Sequence, residues 1–466
     1  MKDKRRDFLK LSFLTGLGLT GLVNKNFAGK IWSDRQIPGQ KFNMSGYSAP
    51  ALDIVRVGFI GLGMRGPTHV KNLAKLEGVE IKGLCDIRPD KIMGIQKSLE
   101  GSVHKPAVYS GKDDWKRLCE QNDIDLIYIA TPWAMHTPMA LYAMQHGKHV
   151  AVEVPAAVTV DECWQLVETS EQTRKHCMML ENCCYDFFEM LTLNLARQDF
   201  FGEIVHTEGA YIHNLSGLNF EKNKGYWDMW RLKENGKRNG NLYPTHGLGP
   251  ICQIMNINRG DKMDYLVSMS GIDFTMGPKA RELAARDDFF KPYSEKTYRG
   301  NVNTTSIRTN RGRTIMVQHD VSSPNVYSRI HKITGTKGTA LKYPLPGRIS
   351  NGGEDWLTES ELKLLEEKFQ PAIVRKVGEL AKQIGGHGGM DFLLDWRTID
   401  CLRNGLPLDM DVYDAALWSV VAPLSEQSVA SRSTAVEIPD FTGGSWKTNS
   451  PVDILLEKGG NTKVRT

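Results

Sequence analysis

The clearest pattern in the chain is the alternation of short apolar runs with amphipathic stretches between residues 54 and 181. Residues 54–60, Ile-Val-Arg-Val-Gly-Phe-Ile, are β-branched and mostly apolar, as in a strand buried on both faces of a parallel sheet. A helical pattern follows to residue 76, and a second strand pattern covers 79–85. Residues 124–130 and 148–152 repeat the strand signal, with a helix running to residue 147 between them. A helix over 160–174 precedes a short strand at 178–181. Strands alternating with helices in this way predict α/β units in a doubly wound parallel sheet.

Beyond residue 183 the period changes. Short β-rich runs at 204–212, 266–272, 303–308, 314–319 and 329–334 alternate with polar loops, which predicts a second α/β domain on a mostly antiparallel sheet. Residues 390–403 return to a helical pattern, and 412–431 follow with Pro423 as an expected kink or break. The expected boundaries are a leader over 1–30, a linker over 31–52, a first domain over 53–182, a second over 183–440 whose last helices return to the first, and a tail over 441–466. No repeat or low-complexity tract interrupts this order.

Length and composition agree with two such domains. At 466 residues, with 41% hydrophobic and 24% charged, the chain is an ordinary globular one. The formal charge of +5 is accounted for by residues 1–30, which hold seven Lys/Arg and two Asp. The remainder is neutral, so no basic body points to nucleic acid or a membrane surface. The leader itself reads as an export signal. Arg5-Arg6-Asp7-Phe8-Leu9-Lys10 precedes an apolar run over 11–23, too short to span a bilayer, with small residues near Ala28. The paired arginines resemble a twin-arginine (Tat) signal, which implies export to the periplasm or beyond, with no membrane span in the mature protein. An uncleaved amphipathic anchor is the competing reading. The eight cysteines form no CxxC pair, and neither a metal site nor a disulfide framework is expected.

The first strand runs into Gly61-Leu62-Gly63-Met64-Arg65-Gly66, a G-x-G-x-x-G. It has a strand before it, a helix after it and an acidic residue, Asp86, twenty positions beyond Gly66. Gly61 permits the tight turn, Gly63 lets backbone amides approach a pyrophosphate, and Gly66 lets helix pack on strand. The helix N-terminus favours the negative charge. Asp86 would bind ribose hydroxyls and repel a 2′-phosphate, which favours NAD over NADP, although Arg88 is close by. Met64, Arg65, Asp86, Trp133, His136, Glu153 and Asn182 all fall at the carboxyl ends of predicted strands, where such sheets bind ligands. Separately each is an ordinary loop residue; together they outline one cleft. Far downstream stands Gly385-Gly386-His387-Gly388-Gly389. Four glycines cost much conformational entropy to order, so His387 is either the working group of a mobile loop or a chance residue in a turn.

The segments VGFIGLGMRG, LCDIRPDK, TPWAMHTPMA, GKHVAVEVPAA and FLLDWRTIDCLRNGLPLDMDVYDAAL together resemble the Gfo/Idh/MocA family of NAD(P)-dependent sugar oxidoreductases. The resemblance covers nearly all of residues 53–440. It implies a Rossmann domain joined to an α/β domain whose large open sheet walls a sugar site. Two departures stand out. The family's dehydrogenases usually carry Glu-Lys-Pro, with the lysine assisting proton transfer; here the triplet is Glu153-Val154-Pro155. They also supply an Asp shortly before a His of the second domain; here the region reads Asn241-Leu242-Tyr243-Pro244-Thr245-His246.

With GMRG, EVPAA, MLENCCY, YWDMWRL, NLYPTHGLGP and GGHGG, the chain is similar to the glycoside hydrolase family 109 branch, known for α-N-acetylgalactosaminidase activity. This resemblance implies NAD on Met64, Arg65, Asp86, Trp133, His136, Glu153, Val154 and Asn182. It implies a glycan with terminal N-acetylgalactosamine near Tyr211, Arg231, Tyr243, Thr245, His246 and Tyr327, and makes His387 the catalytic acid/base. The implied chemistry is a redox-neutral cycle: oxidation at sugar C3, elimination of the C1 substituent after loss of the C2 proton, hydration, and reduction. Tyr211, Tyr243 and His246 are candidates for the bases at C2 and at the C3 hydroxyl, unranked; an aromatic here could equally serve only to bind, and Arg231 could be a surface ion-pair partner. The competing functions are an exported NAD(P)-dependent sugar dehydrogenase and a catalytically silent sugar-binding protein. A homo-oligomer is compatible with the chain.

Overall fold

Six parallel strands form the first sheet: β1 (Val55–Ile60), β2 (Val79–Cys85), β3 (Ala107–Tyr109), β4 (Leu126–Ile129), β5 (His149–Val152) and β6 (Cys177–Met179). Their spatial order is β3-β2-β1-β4-β5-β6, the reversal beside β1 that creates a ligand crevice at the strand ends. The computed structural model describes residues 39–465 apart from 454, 455 and 457, so the leader and the first part of the linker lie outside the described residues. The apolar runs account for five of these strands. The sequence reading did not anticipate β3, a three-residue edge strand with Ala107 and Val108 exposed, too short to show a period.

The second sheet has eight strands: β7 (Ile204–Ile212), β8 (Met263–Ser270), β9 (Asn303–Thr309), β10 (Thr314–Asp320), β11 (Lys332–Gly335), β12 (Thr339–Leu341), β13 (Arg348–Ser350) and β14 (Val436–Glu437). The order is β13-β12-β11-β7-β10-β9-β8-β14, antiparallel throughout except for β7 with β10. In β9 burial alternates strictly, with Asn303, Thr305, Ile307 and Thr309 inward, as expected of a sheet covered on one face.

Six helices matter for the site: α1 (Gly66–Ala74), α2 (Val160–Thr173), α3 (Thr245–Ile254), α4 (Ala372–Ile384), α5 (Met390–Asn404) and α6 (Val412–Ala430). Helix α2 opens on a capping box formed by Thr159 and Glu162. Helix α6 lies between α2 and β8, and α5 packs on α1 and α4, so the last helices bind the two sheets together. Pro423 does not break α6. Val420, Val421, Ala422 and Leu424 around it are buried, and packing on every side holds the helix through one missing hydrogen bond. The segment expected as a tail folds back. Val464 bridges to Leu76, and the amides of Gly460 and Thr462 donate to Asp400 of α5. No helix among the described residues is long and apolar enough to cross a membrane.

One close approach sets the position of the sugar-side residues. A Cβ on Gly209 would lie 2.4 Å from the Gly247 carbonyl oxygen, and one on Gly247 would lie 2.3 Å from the Ala210 nitrogen. Helix α3 and strand β7 thus touch backbone to backbone, which brings Thr245 and His246 at the start of α3 beside Tyr211 near the end of β7.

Candidate active site

The glycine turn after β1 has the three properties a dinucleotide requires. Gly61 has φ +91, and a Cβ there would lie 2.5 Å from the Ala130 carbonyl oxygen. A Cβ on Gly66 would strike the Gly61 carbonyl oxygen at 2.0 Å. Over Gly63 the nearest atom would be the tip of the Arg88 side chain at 3.4 Å, which is flexible and can move aside. The cradle is therefore closed where helix meets strand and open where a pyrophosphate would sit. Asp86 ends β2, and its carboxylate accepts from the amides of Leu62 (2.7 Å) and Arg88 (2.8 Å). Each carboxylate oxygen keeps a lone pair for a ribose hydroxyl. These residues fit a nicotinamide dinucleotide. Met64 is exposed beside the turn.

Arg65 leads from this turn into a chain of buried charges. Its Nε donates to Glu153 at 2.8 Å, and its Nη1 and Nη2 reach Asp391 at 3.0 and 3.2 Å. Glu153 also meets His69 Nε2 at 2.9 Å, and His69 Nδ1 lies 2.8 Å from Asp395. Tyr128 and Asn72 donate to Asp395 as well. Burial alone would raise Glu153, but Arg65 and His69 outweigh it and hold its carboxyl below the ordinary range. Burial likewise works against a charged His69, yet Asp395 and Glu153 raise it to about 10. Asn182, in the turn that follows β6, donates to Asp391 at 2.6 Å. His387 Nδ1 lies 2.8 Å from Asp391 Oδ2, so the imidazole of the glycine loop is tied to a buried carboxylate.

Across the cleft stands an aromatic chamber. Trp133, in the turn after β4, stacks on Tyr243 at 5.8 Å, and Tyr243 lies 4.7 Å from the Tyr211 ring and 4.9 Å from that of His246. A residue expected on the dinucleotide thus touches one expected on the sugar. Arg231 is buried among Tyr243, Trp133, Tyr226 and Tyr211, with its guanidinium 4.5–5.9 Å from their ring centres. It is no surface ion-pair partner. Its Nη1 donates to Tyr226, and its buried Nη2 has no partner among the described residues. The Thr245 hydroxyl is buried here too. Tyr327 accepts from Arg329 at 3.0 Å and lies 6.5 Å from Tyr211.

The polar groups of the chamber come in pairs. His246 Nδ1 lies 2.6 Å from Glu181 Oε1. The Tyr211 hydroxyl lies 3.0 Å from His213 Nδ1. Burial pushes Tyr211 up, with Arg231 opposing, and burial with the charges of Arg231, His246 and His387 lowers His213. Tyr211 therefore keeps its proton and His213 stays neutral to accept it. Cys183 Sγ lies within 4.8 Å of Glu181 and His246, but those two are already joined by a hydrogen bond. His136 is placed differently from the rest. Its ring is buried, with Nε2 on the Thr131 carbonyl (2.7 Å) and Nδ1 on the Pro155 carbonyl (2.8 Å), so it braces two loops from behind. Val154 is buried and offers no proton-transfer group.

Residues 55–181 match the description "Oxidoreductase family, NAD-binding Rossmann fold", and residues 185–448 match "Glycosyl hydrolase 109, C-terminal domain", which is more than half of the chain. The chain belongs to glycosyl hydrolase family 109. An alpha-N-acetylgalactosaminidase of Bacteroides fragilis is 50% identical over 407 residues, 86% of this chain and 95% of that protein. Glycosyl hydrolase family 109 protein 1 of Phocaeicola vulgatus is 46% identical over 469 residues, 96% of this chain and 97% of its own. Among solved structures, a levoglucosan dehydrogenase in complex with NADH and L-sorbose matches with TM-score 0.62 at 16% identity, over 83% of this chain and 100% of that one, a likeness of fold. The resemblance drawn from the motifs is borne out, and the chain is a glycoside hydrolase with an NAD-binding Rossmann domain.

Within this family 109 hydrolase, the residues that the sequence reading did not single out are His69, Glu181, His213, Asp391 and Asp395. For three of them the signal was spacing: Arg65 and His69 are four apart, as are Asp391 and Asp395, which share one face of α5, whereas His387, with φ +48, lies on the glycine loop before that helix.

Proposed function

We propose that this protein removes terminal α-N-acetylgalactosamine from glycans by a redox-neutral, NAD-dependent cycle. One observation carries the reading: three carboxylates of the site, Glu153, Glu181 and Asp391, are each buried behind a cation or a histidine. Glu153 faces Arg65 and His69, Glu181 faces His246, and Asp391 faces Arg65 and His387. An ordinary glycosidase needs two carboxylates facing the scissile bond, and these are committed elsewhere. Bound NAD would supply reversible removal and return of hydride at sugar C3, which acidifies C2–H and lets the C1 substituent leave by elimination.

The chain's own groups handle the protons. His387 is half exposed on the glycine loop, with Nδ1 on Asp391. Its Nε2 protonates the departing oxygen and later takes a proton from water, two roles that imidazole fills near neutral pH. The remaining transfers, at the C3 hydroxyl and at C2–H, fall to His246 with Glu181 and to Tyr211 with His213. Trp133, Tyr243 and Tyr327 offer ring faces to the sugar, and Arg231 Nη2 a free donor. Asp86 favours NAD over NADP because a carboxylate repels a 2′-phosphate. The Arg5-Arg6 leader carries the folded, cofactor-loaded protein out of the cytoplasm.

Hydrolysis of an aryl α-N-acetylgalactosaminide in D₂O tests the cycle. Deuterium is expected at C2 of the released sugar, with no net accumulation of NADH. Retained protium together with stoichiometric NADH would make the protein a sugar dehydrogenase, a reading that Val154 disfavours because valine moves no proton.

A further inference from the structure

Asp391 stands in the first turn of α5 and is wholly buried, yet four contacts from three side chains converge on its carboxylate. Arg65 donates to both oxygens, Asn182 donates to Oδ1 at 2.6 Å, and His387 Nδ1 lies 2.8 Å from Oδ2. The partners come from the turn after β1, the turn after β6 and the glycine loop. The first two face the dinucleotide side of the cleft.

The loop has little conformational preference of its own. Gly385, Gly386, Gly388 and Gly389 all have positive φ, and so does His387 at +48, which costs energy for a residue with a Cβ. A Cβ on Gly386 would lie 3.0 Å from Asp391 Oδ2. The loop is therefore moulded round this carboxylate. Two acceptor–donor arrangements compete at His387. An unprotonated Nδ1 would accept from Arg65 Nη1, which lies 3.4 Å away; a protonated one donates to Asp391 at 2.8 Å. The shorter contact, to an anion, decides for Nδ1–H.

We propose that Asp391 is a positioning residue that fixes His387 with Nδ1–H toward the protein and Nε2 toward the sugar chamber. Because Arg65 and Asn182 hold the same carboxylate, the dinucleotide side of the cleft sets where the acid/base stands. The inference rests on His387 being that acid/base.

The test uses full-length protein with ¹⁵N-labelled histidine, the His387 signal being assigned by its loss in His387→Gln. In the neutral wild-type ring, Nδ1 is expected to carry the proton. A wild-type ring protonated at Nε2 instead overturns the proposal, whether or not the Asp391 variants fold. In Asp391→Asn the tautomer is expected to shift toward Nε2–H. Activity on alkyl N-acetylgalactosaminides should then fall at least about 10-fold further than on the 4-nitrophenyl glycoside, since general-acid catalysis is worth ~10²–10⁴-fold. Equal losses with an unchanged tautomer overturn it. Adding Asp391→Asn to His387→Gln should cost nothing more on the alkyl substrate, and additive losses overturn it too. If His387→Gln itself shows no leaving-group dependence, the acid/base reading fails, while the wild-type tautomer still reports separately on Asp391.

Discussion

Glu181 Oε1 stands 2.6 Å from His246 Nδ1, so a carboxylate at the end of the parallel sheet orients an imidazole carried by the second domain. The dehydrogenases that this chain resembles supply an Asp shortly before the histidine, and here none precedes it. Glu181 reaches across the domain boundary instead. It is fully buried, and His246 holds its carboxyl below the ordinary range against the effect of burial.

Glu181→Gln keeps the shape and removes the charge. A charge-assisted hydrogen bond is worth ~1.5–3 kcal/mol, so kcat is expected to fall about 10–100-fold while NAD stays bound. Steady-state kinetics with exchange of the C3 hydrogen measures this. An unchanged kcat would remove His246 from the path of the proton.

Asp86→Ala is expected to weaken NAD binding by ~1.5–3 kcal/mol for each ribose hydrogen bond lost. It should also narrow the preference over NADP, because the repelling carboxylate is gone while Arg88 remains. Fluorescence titration of the apoprotein with each dinucleotide reads both effects. Equal NAD affinity in the variant would place the ribose elsewhere than at the end of β2.

The strands and the glycine turn were legible because their signals are local: a β-branched run, a G-x-G-x-x-G and an acid at the next strand end lie within one βαβ unit. The aromatic and histidine motifs gave Tyr211, Tyr243, His246 and His387 only through resemblance to a family. The longer-range orienting partners were not legible, because those pairs join segments far apart in sequence. Glu181 meets His246 across 65 positions, and Arg65 meets Asp391 across 326. A buried carboxylate in a helix such as α5 looks like a surface residue until the helix is placed. His136 follows a strand end, and its ring turns inward to the carbonyls of Thr131 and Pro155.

His69 makes stability depend on pH. Its folded-state value of about 10 lies above the ordinary 6.5, so the folded protein keeps a proton that the unfolded chain releases. The resulting stabilisation is complete below about 6.5 and is lost as pH rises through about 10. Unfolding free energy from urea titrations should therefore decline across that window, by up to about 1.4 kcal/mol per pH unit. The decline should flatten in His69→Gln. A wild-type value independent of pH between 7 and 10 would mean that His69 is held neutral between Glu153 and Asp395.

His387→Ala should act through the leaving group. General-acid catalysis contributes ~10²–10⁴-fold, and its share grows with the basicity of the departing oxygen. A 4-nitrophenolate leaves with little help, whereas a sugar or serine alkoxide does not. The variant is expected to lose far more activity on glycans than on nitrophenyl substrates. It should keep its fold, because the side chain is half exposed and its removal leaves Asp391 paired with Arg65 and Asn182. Exchange of the sugar C3 hydrogen should survive, because His387 has no part in that step. Equal losses on both substrate types, with C3 exchange also abolished, would move His387 from proton transfer to substrate positioning.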